Sequence, residues 1–508
     1  MELRVRHIAR NVLFNWFGAI VNMAVGFFLS PFILHRLGDV AYGVWVLAIS
    51  VVAYLGFLDL GMQTSVLRFV SKGHTVKDHE GASDAISAAL WVRLQIAGLA
   101  LLISGGLAYV FPSLFKIPAE LARDAREAIL LIGLTTAVTM SLGVMGSVIS
   151  ALNRYDLQNC ISLVQSAVRV TGVVMVLRRG HGIVAIAICE LIAAITGNLL
   201  VILVAHRLYP ELRIRLQRPQ AETIRKIWSY SSYVFLTTIA VQLVYQTDNF
   251  VVGYFVSTTA VTYYAIANNL CRYAGQVISS MANTFTPAAS TYEASGNTAG
   301  LLMLYKNGTR AMLVVAVPMI LTMILRGSSF IGLWVGPKYS HTSGLVLVLL
   351  TIPLLFAYAN RTAGAISYGM EKHKAQAIWA IGEGIANLIL SMILAHFYGL
   401  YGVAIGTLIP NLFVQWVFWP GYISKLVGLS RYEVIAKIWL PVIAAAIPFA
   451  CVTFATEKFY PARSLPIFFL QVIATLPVFF IAVGLLFRTY VRDYILPRIK
   501  LLSFLNAG

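Results

Sequence analysis

Apolar residues in this chain run in stretches of about twenty or more, divided by short breaks rich in charge, glycine or proline. A helix rising ~1.5 Å per residue needs about twenty residues to cross ~30 Å of hydrocarbon, so each stretch predicts a membrane-spanning helix. The breaks predict fourteen helices, near 11–34, 42–67, 86–111, 126–151, 157–177, 182–205, 229–255, 258–287, 307–335, 343–368, 375–397, 400–423, 434–454 and 465–487. The first follows Arg4, Arg6 and Arg10 in the order of a secretion signal. It is longer than the ~7 to 15 apolar residues of a cleavable signal and lacks a small-x-small site, so it is expected to be retained.

Composition strengthens the membrane reading: 59 % of the 508 residues are apolar and 11 % charged, against ~25 % charged in soluble domains. With the N-terminus inside, 24 Lys and Arg fall in inside segments, nine in outside segments and five within helices. Short cytoplasmic loops carry the basic excess, so both termini are expected in the cytoplasm, which an even helix count allows. The net charge of +18 then follows from topology and from attraction to anionic headgroups, and nucleic acid is not an expected partner.

The longest polar interruption, His206 to Lys226, reads as a linker between two lobes. Weak internal matches agree. Ile149-Ser150-Ala151 pairs with Ile366-Ser367-Tyr368, Gly182-Ile183-Val184-Ala185 with Gly402-Val403-Ala404-Ile405, and Val40-Ala41 with Thr259-Ala260, at offsets of 217, 220 and 219. Six helices separate the equivalents, so the lobes run parallel across the membrane, an arrangement known in transporters that bind substrate between the halves. The expected fold is an all-α polytopic membrane protein. It comprises an N-lobe (1–206), a basic cytoplasmic linker (207–228), a C-lobe (229–424) and two further helices with a cytoplasmic tail (425–508).

Several helices carry polar residues at three-to-four-residue spacing, hence on one face. They are Asn268, Asn269, Arg272, Gln276, Ser279, Ser280 and Asn283 in helix eight; Gln158, Ser162, Gln165, Ser166 and Arg169 in helix five; and Thr238, Gln242, Tyr245 and Asn249 in helix seven. Asn11, Asn15 and Asn22 do so in helix one, and Gln376, Glu383, Asn387 and Ser391 in helix eleven. Such faces can bind helices together through hydrogen bonds of ~0.6 kcal/mol each. Stripes that include a formal charge, at ~2.5 to 3.5 kcal/mol for insertion, argue instead for a water-filled cavity. Arg272, Arg169 and Arg361 are the basic candidates within the membrane, with Arg68, Arg93 and Arg326 nearer its faces; Asp59, Asp248, Glu190 and Glu383 are the acidic ones. The planar guanidinium fork suits phosphate oxygens, so several arginines in a cavity favour an anionic substrate, and for each the alternative is an ion pair with one of those carboxylates. Glu190 and Glu383 are also candidates for protonation in a coupling cycle.

No Walker-type loop, His-Glu-x-x-His or Gly-x-Ser-x-Gly occurs, and the longest outside loop is about Phe111 to Glu127, so an enzyme is not expected. Cys160, Cys189, Cys271 and Cys451 are widely spaced within apolar runs and predict neither disulfides nor a metal site, only small core residues. No cofactor is expected. Trp416, Trp419 and Trp439 read as interfacial anchors.

Leu37-Gly38-x-x-x-Tyr42-Gly43, Leu58-Asp59-Leu60-Gly61-Met62 running into Arg68-Phe69, and Asp248-Asn249-Phe250-Val251-Val252-Gly253-Tyr254-Phe255 followed by Tyr263-Tyr264-Ala265-Ile266-Ala267-Asn268 give the chain a family likeness. In these motifs it resembles the oligosaccharide flippases of bacterial polysaccharide biosynthesis, O-antigen type, of the multidrug/oligosaccharidyl-lipid/polysaccharide exporter superfamily. The resemblance implies alternating access, a bacterial inner-membrane location and an undecaprenyl-pyrophosphate-linked glycan as cargo. It also implies the lipid bilayer and glycan polymerase or assembly proteins as partners. A cationic cavity would then place Arg272, Arg169 and Arg361, with Gln276 and Asn249, against substrate, and leave Asp59, Asp248, Glu190 and Glu383 to coupling or ion pairing. The first helix has Asn15 and Asn22 in place of the basic residue that some lipid-precursor flippases carry there. The rival readings are a multidrug or organic-cation antiporter of the same superfamily, a membrane glycan ligase or polymerase, and a non-transporting scaffold of glycan assembly. The first usually has twelve helices and an acidic cavity; the second needs a large outside loop.

Overall fold

The computed structural model describes residues 2–59, 62–215 and 247–486. The predicted start of helix seven up to 246, the linker beyond 215, and the basic tail from 487 lie outside the described residues, as do the side chains of Asn11, Asn15 and Asp59. The described residues are helical throughout their regular elements. In order these are α1 (Glu2–Leu37), α2 (Asp39–Ala53) with a 3₁₀ extension (Tyr54–Asp59), α3 (Met62–Val76), α4 (His79–Leu114), α5 (Ala119–Leu142), α6 (Gly146–Ala151), α7 (Tyr155–Arg178), α8 (Ile183–Leu208) and α9 (247–255). There follow α10 (Thr258–Ala282), α11 (Phe285–Ala294), α12 (Thr298–Trp334), α13 (Pro337–Ala359), α14 (Arg361–Gly369), α15 (Lys374–Phe413), α16 (Trp419–Val427), α17 (Leu440–Ala444), α18 (Ile447–Phe459) and α19 (Leu465–Leu486). Among the described residues, eleven helical spans are long and apolar enough to cross a membrane. The longest, Lys374–Val427, is broken at Gly399, whose φ of 54° and ψ of −130° interrupt α15. The chain is therefore an all-α multi-pass membrane protein.

Two compact units are present: Met1–Ala265 with Ala395–Leu400, and Ile266–Leu394 with Tyr401–Gly508. In the first, Gly38 (φ 77°) turns α1 into α2, and the carbonyl of Asp39 accepts a 2.7 Å hydrogen bond from Thr262 Oγ1. A Cβ on Gly43 would lie 1.9 Å from the carbonyl oxygen of Thr258, so only glycine admits this approach of α2 to the start of α10. The Leu-Gly-x-x-x-Tyr-Gly motif is thus explained by one turn and one close contact, with Tyr42 Oη 2.9 Å from Ser30 Oγ. A second apolar core joins α3, α4, α6 and α8 through Val66, Val70, Ile86, Val148, Ile149 and Ala205. The chain leaving α8 folds back on α4, where the amides of Arg213 and Arg215 donate to Ser83 Oγ and Ser87 Oγ at 3.1 and 3.0 Å. Tyr209 Oη lies 2.7 Å from His79 Nδ1, and burial, then Glu211 and Asp78, push its phenol above the usual range.

The second unit is built around α12, whose Leu301, Tyr305, Leu313 and Val317 join one core with residues of α14, α16, α18 and α19. Two π-helical turns, Val414–Phe418 and Glu433–Trp439, occur here. The extra residue in such a turn re-aims the side chains beyond it. Trp419 and Trp439 are buried, with Trp439 packed against Phe356 and Trp416 at 6.1 and 6.0 Å between ring centres. Cys160 and Cys451 are exposed, unlike the buried Cys189 and Cys271, so two of the four cysteines are not core residues.

The internal repeat is clear in the backbone. Lys77 and Gly296 have positive φ at a register of 219 (296 − 77), Gly180 and Gly399 at 219, Asn153 and Glu371 at 218, and Lys116 and Gly336 at 220. Asp78 and Asn297 cap α4 and α12 in the same way, accepting from the amides of Gly81 and Gly300 at 2.8 and 2.7 Å.

Candidate functional site

The α10 stripe is exposed at Arg272, Gln276 and Asn283 and half-buried at Asn268, Asn269, Ser279 and Ser280. Arg272 and Gln276 are exposed, while Ala274, Ile278 and Ala282 on the other face pack against Met312, Ala316 and Ile320 of α12. Arg272 Nη2 donates to Asn269 Oδ1 at 2.9 Å, a contact within the helix, and its guanidinium carbon lies 6.0 Å from the centre of the Tyr273 ring. Helical spacing alone produces this division, since residues three and four apart share a side.

The α7 stripe divides differently. Asn22 of α1 accepts from Ser166 at 2.6 Å and donates to Ser162 at 3.4 Å, and Gln158 accepts from Ser150 at 2.9 Å. These polar groups bind helices together. Arg169, further along, is half-buried within electrostatic range of Glu190 on α8, and its buried Nε has no hydrogen-bond partner among the described residues.

Asp248 and Asn249 of α9 sit in a buried polar cluster of the first unit, 5 % and 6 % exposed. Tyr264 Oη donates to Asp248 Oδ2 at 2.6 Å, Asn249 Nδ2 donates to Ser50 Oγ at 3.0 Å, and Tyr54 Oη lies 3.1 Å from Thr247 Oγ1. In the second unit, Asn411 Nδ2 donates to Glu383 Oε1 at 2.8 Å, with Arg361 within electrostatic range of that carboxyl. Asn387 and Ser391 serve to join the two arms of the broken α15: Asn387 Nδ2 donates to Thr407 Oγ1 at 3.3 Å and Ser391 Oγ to the carbonyl of Val403 at 3.2 Å. Asp59 closes the 3₁₀ extension of α2. The structure thus brings Arg169 near Glu190 and Arg361 near Glu383, keeps Asp248 with Asn249, and leaves Arg272 with Gln276 as an exposed pair.

One charged group at depth was paired only by the structure. Arg326 of α12, 1 % exposed, donates from Nε to Glu457 Oε2 of α18 at 2.6 Å and from Nη2 to Gln471 Oε1 of α19 at 2.6 Å. Its guanidinium stacks 4.6 Å from the centre of the Phe468 ring, and Ser329 Oγ donates to the other Glu457 oxygen. This network fastens the two helices beyond the repeat to α12. The sequence signal was a solitary acid near the end of helix thirteen.

The described residues thus form a multi-pass helical membrane protein whose long helices carry arginines and amides. A family model for polysaccharide biosynthesis proteins matches residues 33–344, and the chain belongs to that family. It is 24 % identical over 439 residues to the uncharacterized membrane protein EpsK of Bacillus subtilis, covering 84 % of this chain and 85 % of the relative. It is 22 % identical over 425 residues to a putative O-antigen transporter of Shigella flexneri, covering 81 % and 97 %. In fold it is similar to the lipid II flippase MurJ in an inward closed conformation, with a TM-score of 0.74 at 16 % identity over 95 % of this chain and 100 % of that one.

Proposed function

We propose that this chain is a flippase that moves a polyprenyl-pyrophosphate-linked oligosaccharide, with undecaprenyl as the carrier, from the cytoplasmic to the outer face of a bacterial inner membrane. It works by alternating access and supplies surface polysaccharide assembly. The chain is a transporter and not an enzyme. The observation that carries this reading is the exposed Arg272–Gln276 face on a helix whose other side is packed. A charge directed into lipid costs ~2.5 to 3.5 kcal/mol, so such a face is retained where it meets water or a polar ligand. The guanidinium fork matches a pyrophosphate, and Arg169 and Arg361 extend the same chemistry. Family membership and the relatives described as a putative O-antigen transporter and a lipid II flippase support the lipid-linked cargo.

The proposed topology has fourteen spans with both termini in the cytoplasm. Among the described residues eleven spans are apolar enough by composition, the break at Gly399 divides one of them in two, and α10 crosses as a polar helix; of the remaining expected helix, 229–255, only residues 247–255 are described. Lobes 1–206 and 229–424 are joined by the basic linker and followed by two helices, and glycan polymerase or assembly proteins receive the product.

The test is labelling of single cysteines at 272, 169 and 361 from each side of intact cells, without the native cysteines, alongside export of polysaccharide by charge variants. Aqueous labelling at 272, with export lost in Arg272→Ala and kept in Arg272→Lys, is expected. An unlabelled site with normal export in Arg272→Ala would overturn the assignment.

A further inference from the structure

A cavity of about 420 Å³ opens where the end of α4 meets the end of α9, lined by Val110, Ser113, Leu114, Lys116, Tyr254 and Phe255. By the charge distribution it lies on the outer side, opposite the face that carries the basic excess. None of its side chains belongs to the arginine-bearing set described above.

The walls are held by packing. A Cβ on Gly253 would lie 2.5 Å from Leu47 and 3.1 Å from Phe115, so glycine lets α9 press against α2 and the end of α4. Beneath the opening, Phe111 and Phe115 are 4.8 Å apart, Phe115 meets Phe250 edge-on at 5.4 Å, and Phe250 stacks parallel to Tyr254 at 6.4 Å. Phe111 and Phe115 of this base are buried, whereas Tyr254 and Phe255 are 44 % and 38 % exposed.

Lys116 completes the rim. It adopts φ 50° in the turn after α4, held by the amide of Ile117 donating to the carbonyl of Pro112 at 2.9 Å. A left-handed residue with a Cβ costs ~1 to 2 kcal/mol, which glycine avoids. The residue at the corresponding position of the second repeat, Gly336, has a different backbone, with φ 135° and ψ 152°. Lys116 lines the opening together with the exposed Tyr254 and Phe255 and with Ser113. Aromatic rings offer an apolar face to the C–H side of a sugar, the hydroxyl a hydrogen bond, and the ammonium a counter-charge. A cationic ligand would meet repulsion.

We propose that this pocket is a receiving site for the anionic saccharide head of the translocated lipid, engaged on the outer face before release. The proposal rests on the flippase reading above. The negative charge can come from the pyrophosphate or from an acidic sugar.

The experiment uses the full-length protein in nanodiscs with a farnesyl-pyrophosphate-linked disaccharide as probe. Lys116→Gly is expected to weaken probe binding about tenfold, the order of one charge-assisted contact, without lowering the melting temperature, because glycine accepts this backbone. Lys116→Arg should retain binding, and Tyr254→Leu with Phe255→Leu should lose it to a similar degree as Lys116→Gly. Competition by inorganic pyrophosphate would support the pocket and assign the charge to the linkage; competition by a glucuronic-acid disaccharide would support it and assign the charge to the sugar. Unchanged binding in Lys116→Gly and in the aromatic variant, or equal competition by phosphatidylglycerol, would overturn the proposal. Proteoliposomes separate the two ideas: if wild type and pocket variants flip a lipid-linked oligosaccharide equally, the pocket fails alone. If wild type moves none, the flippase reading fails.

Discussion

Removing the carboxylate of Glu457 is expected to be among the most costly single changes in the second unit. The side chain of Arg326 is fully buried, and that of Glu457 is 19 % exposed. In Glu457→Leu the guanidinium loses its charged partner and the 2.6 Å bond to Nε, keeping Gln471 and the Phe468 ring. Its Nη1 already has no hydrogen-bond partner among the described residues, so no spare contact compensates. Breaking one side of a buried ion pair costs ~3 to 5 kcal/mol, whereas replacing both sides with apolar groups is often neutral. Arg326→Met with Glu457→Leu should therefore recover most of the loss, giving a coupling of about 2 to 4 kcal/mol in a double-mutant cycle. Equilibrium unfolding in mixed micelles reads the four proteins, and disulfide trapping between α12 and α18 reports whether the helices separate. A Glu457→Leu variant within about 1 kcal/mol of wild type, or strictly additive single variants, would refute the view that this pair fastens α18 and α19 to α12.

Gly43→Ala should destabilise by at least ~2 kcal/mol, because the added carbon would overlap the Thr258 carbonyl, a backbone atom that cannot turn aside. Gly98→Ala in α4, where nothing lies within 4 Å, should instead gain up to ~1 kcal/mol; comparable melting of the two variants would contradict the packing argument. Asn22→Ala removes two hydrogen bonds to α7, at ~0.6 kcal/mol each, and should cost about 1 kcal/mol with transport retained. Abolished transport in a folded Asn22→Ala protein would show that this amide does more than join helices.

Helix positions were largely legible because membrane crossing is a matter of length and apolarity. The predictions 157–177, 182–205 and 465–487 correspond to Tyr155–Arg178, Ile183–Leu208 and Leu465–Leu486. Breaks in backbone geometry were less legible. The 3₁₀ turn at Tyr54–Asp59, the separate α14 after Asn360 and the π-helical turns leave hydropathy almost unchanged while altering which side chains face inward. Trp439, which reads as an interfacial anchor in the sequence, is buried at the end of the second π-helical turn. Polar stripes were visible from spacing, but their use was not. Asn22 belongs with Ser166, and Arg326 with Glu457, through contacts 144 and 131 residues apart, which periodicity along one helix cannot report.

The repeat separates scaffold from chemistry. Left-handed turns and helix caps recur near a register of 219, because a duplicated backbone needs the same stops and starts in both halves. The charged candidates do not recur: at that offset Arg169 corresponds to Leu388, Arg272 to Ala53, Arg361 to Leu142, Asp248 to Leu29, Glu190 to Ile409, Glu383 to Val164 and Asp59 to Ile278. Hydrogen-bonding residues that join helices diverge as well, Asn22 corresponding to Val241, so lack of repetition does not by itself mark a substrate contact. It does mean that no charged candidate has a twin to compensate for its loss.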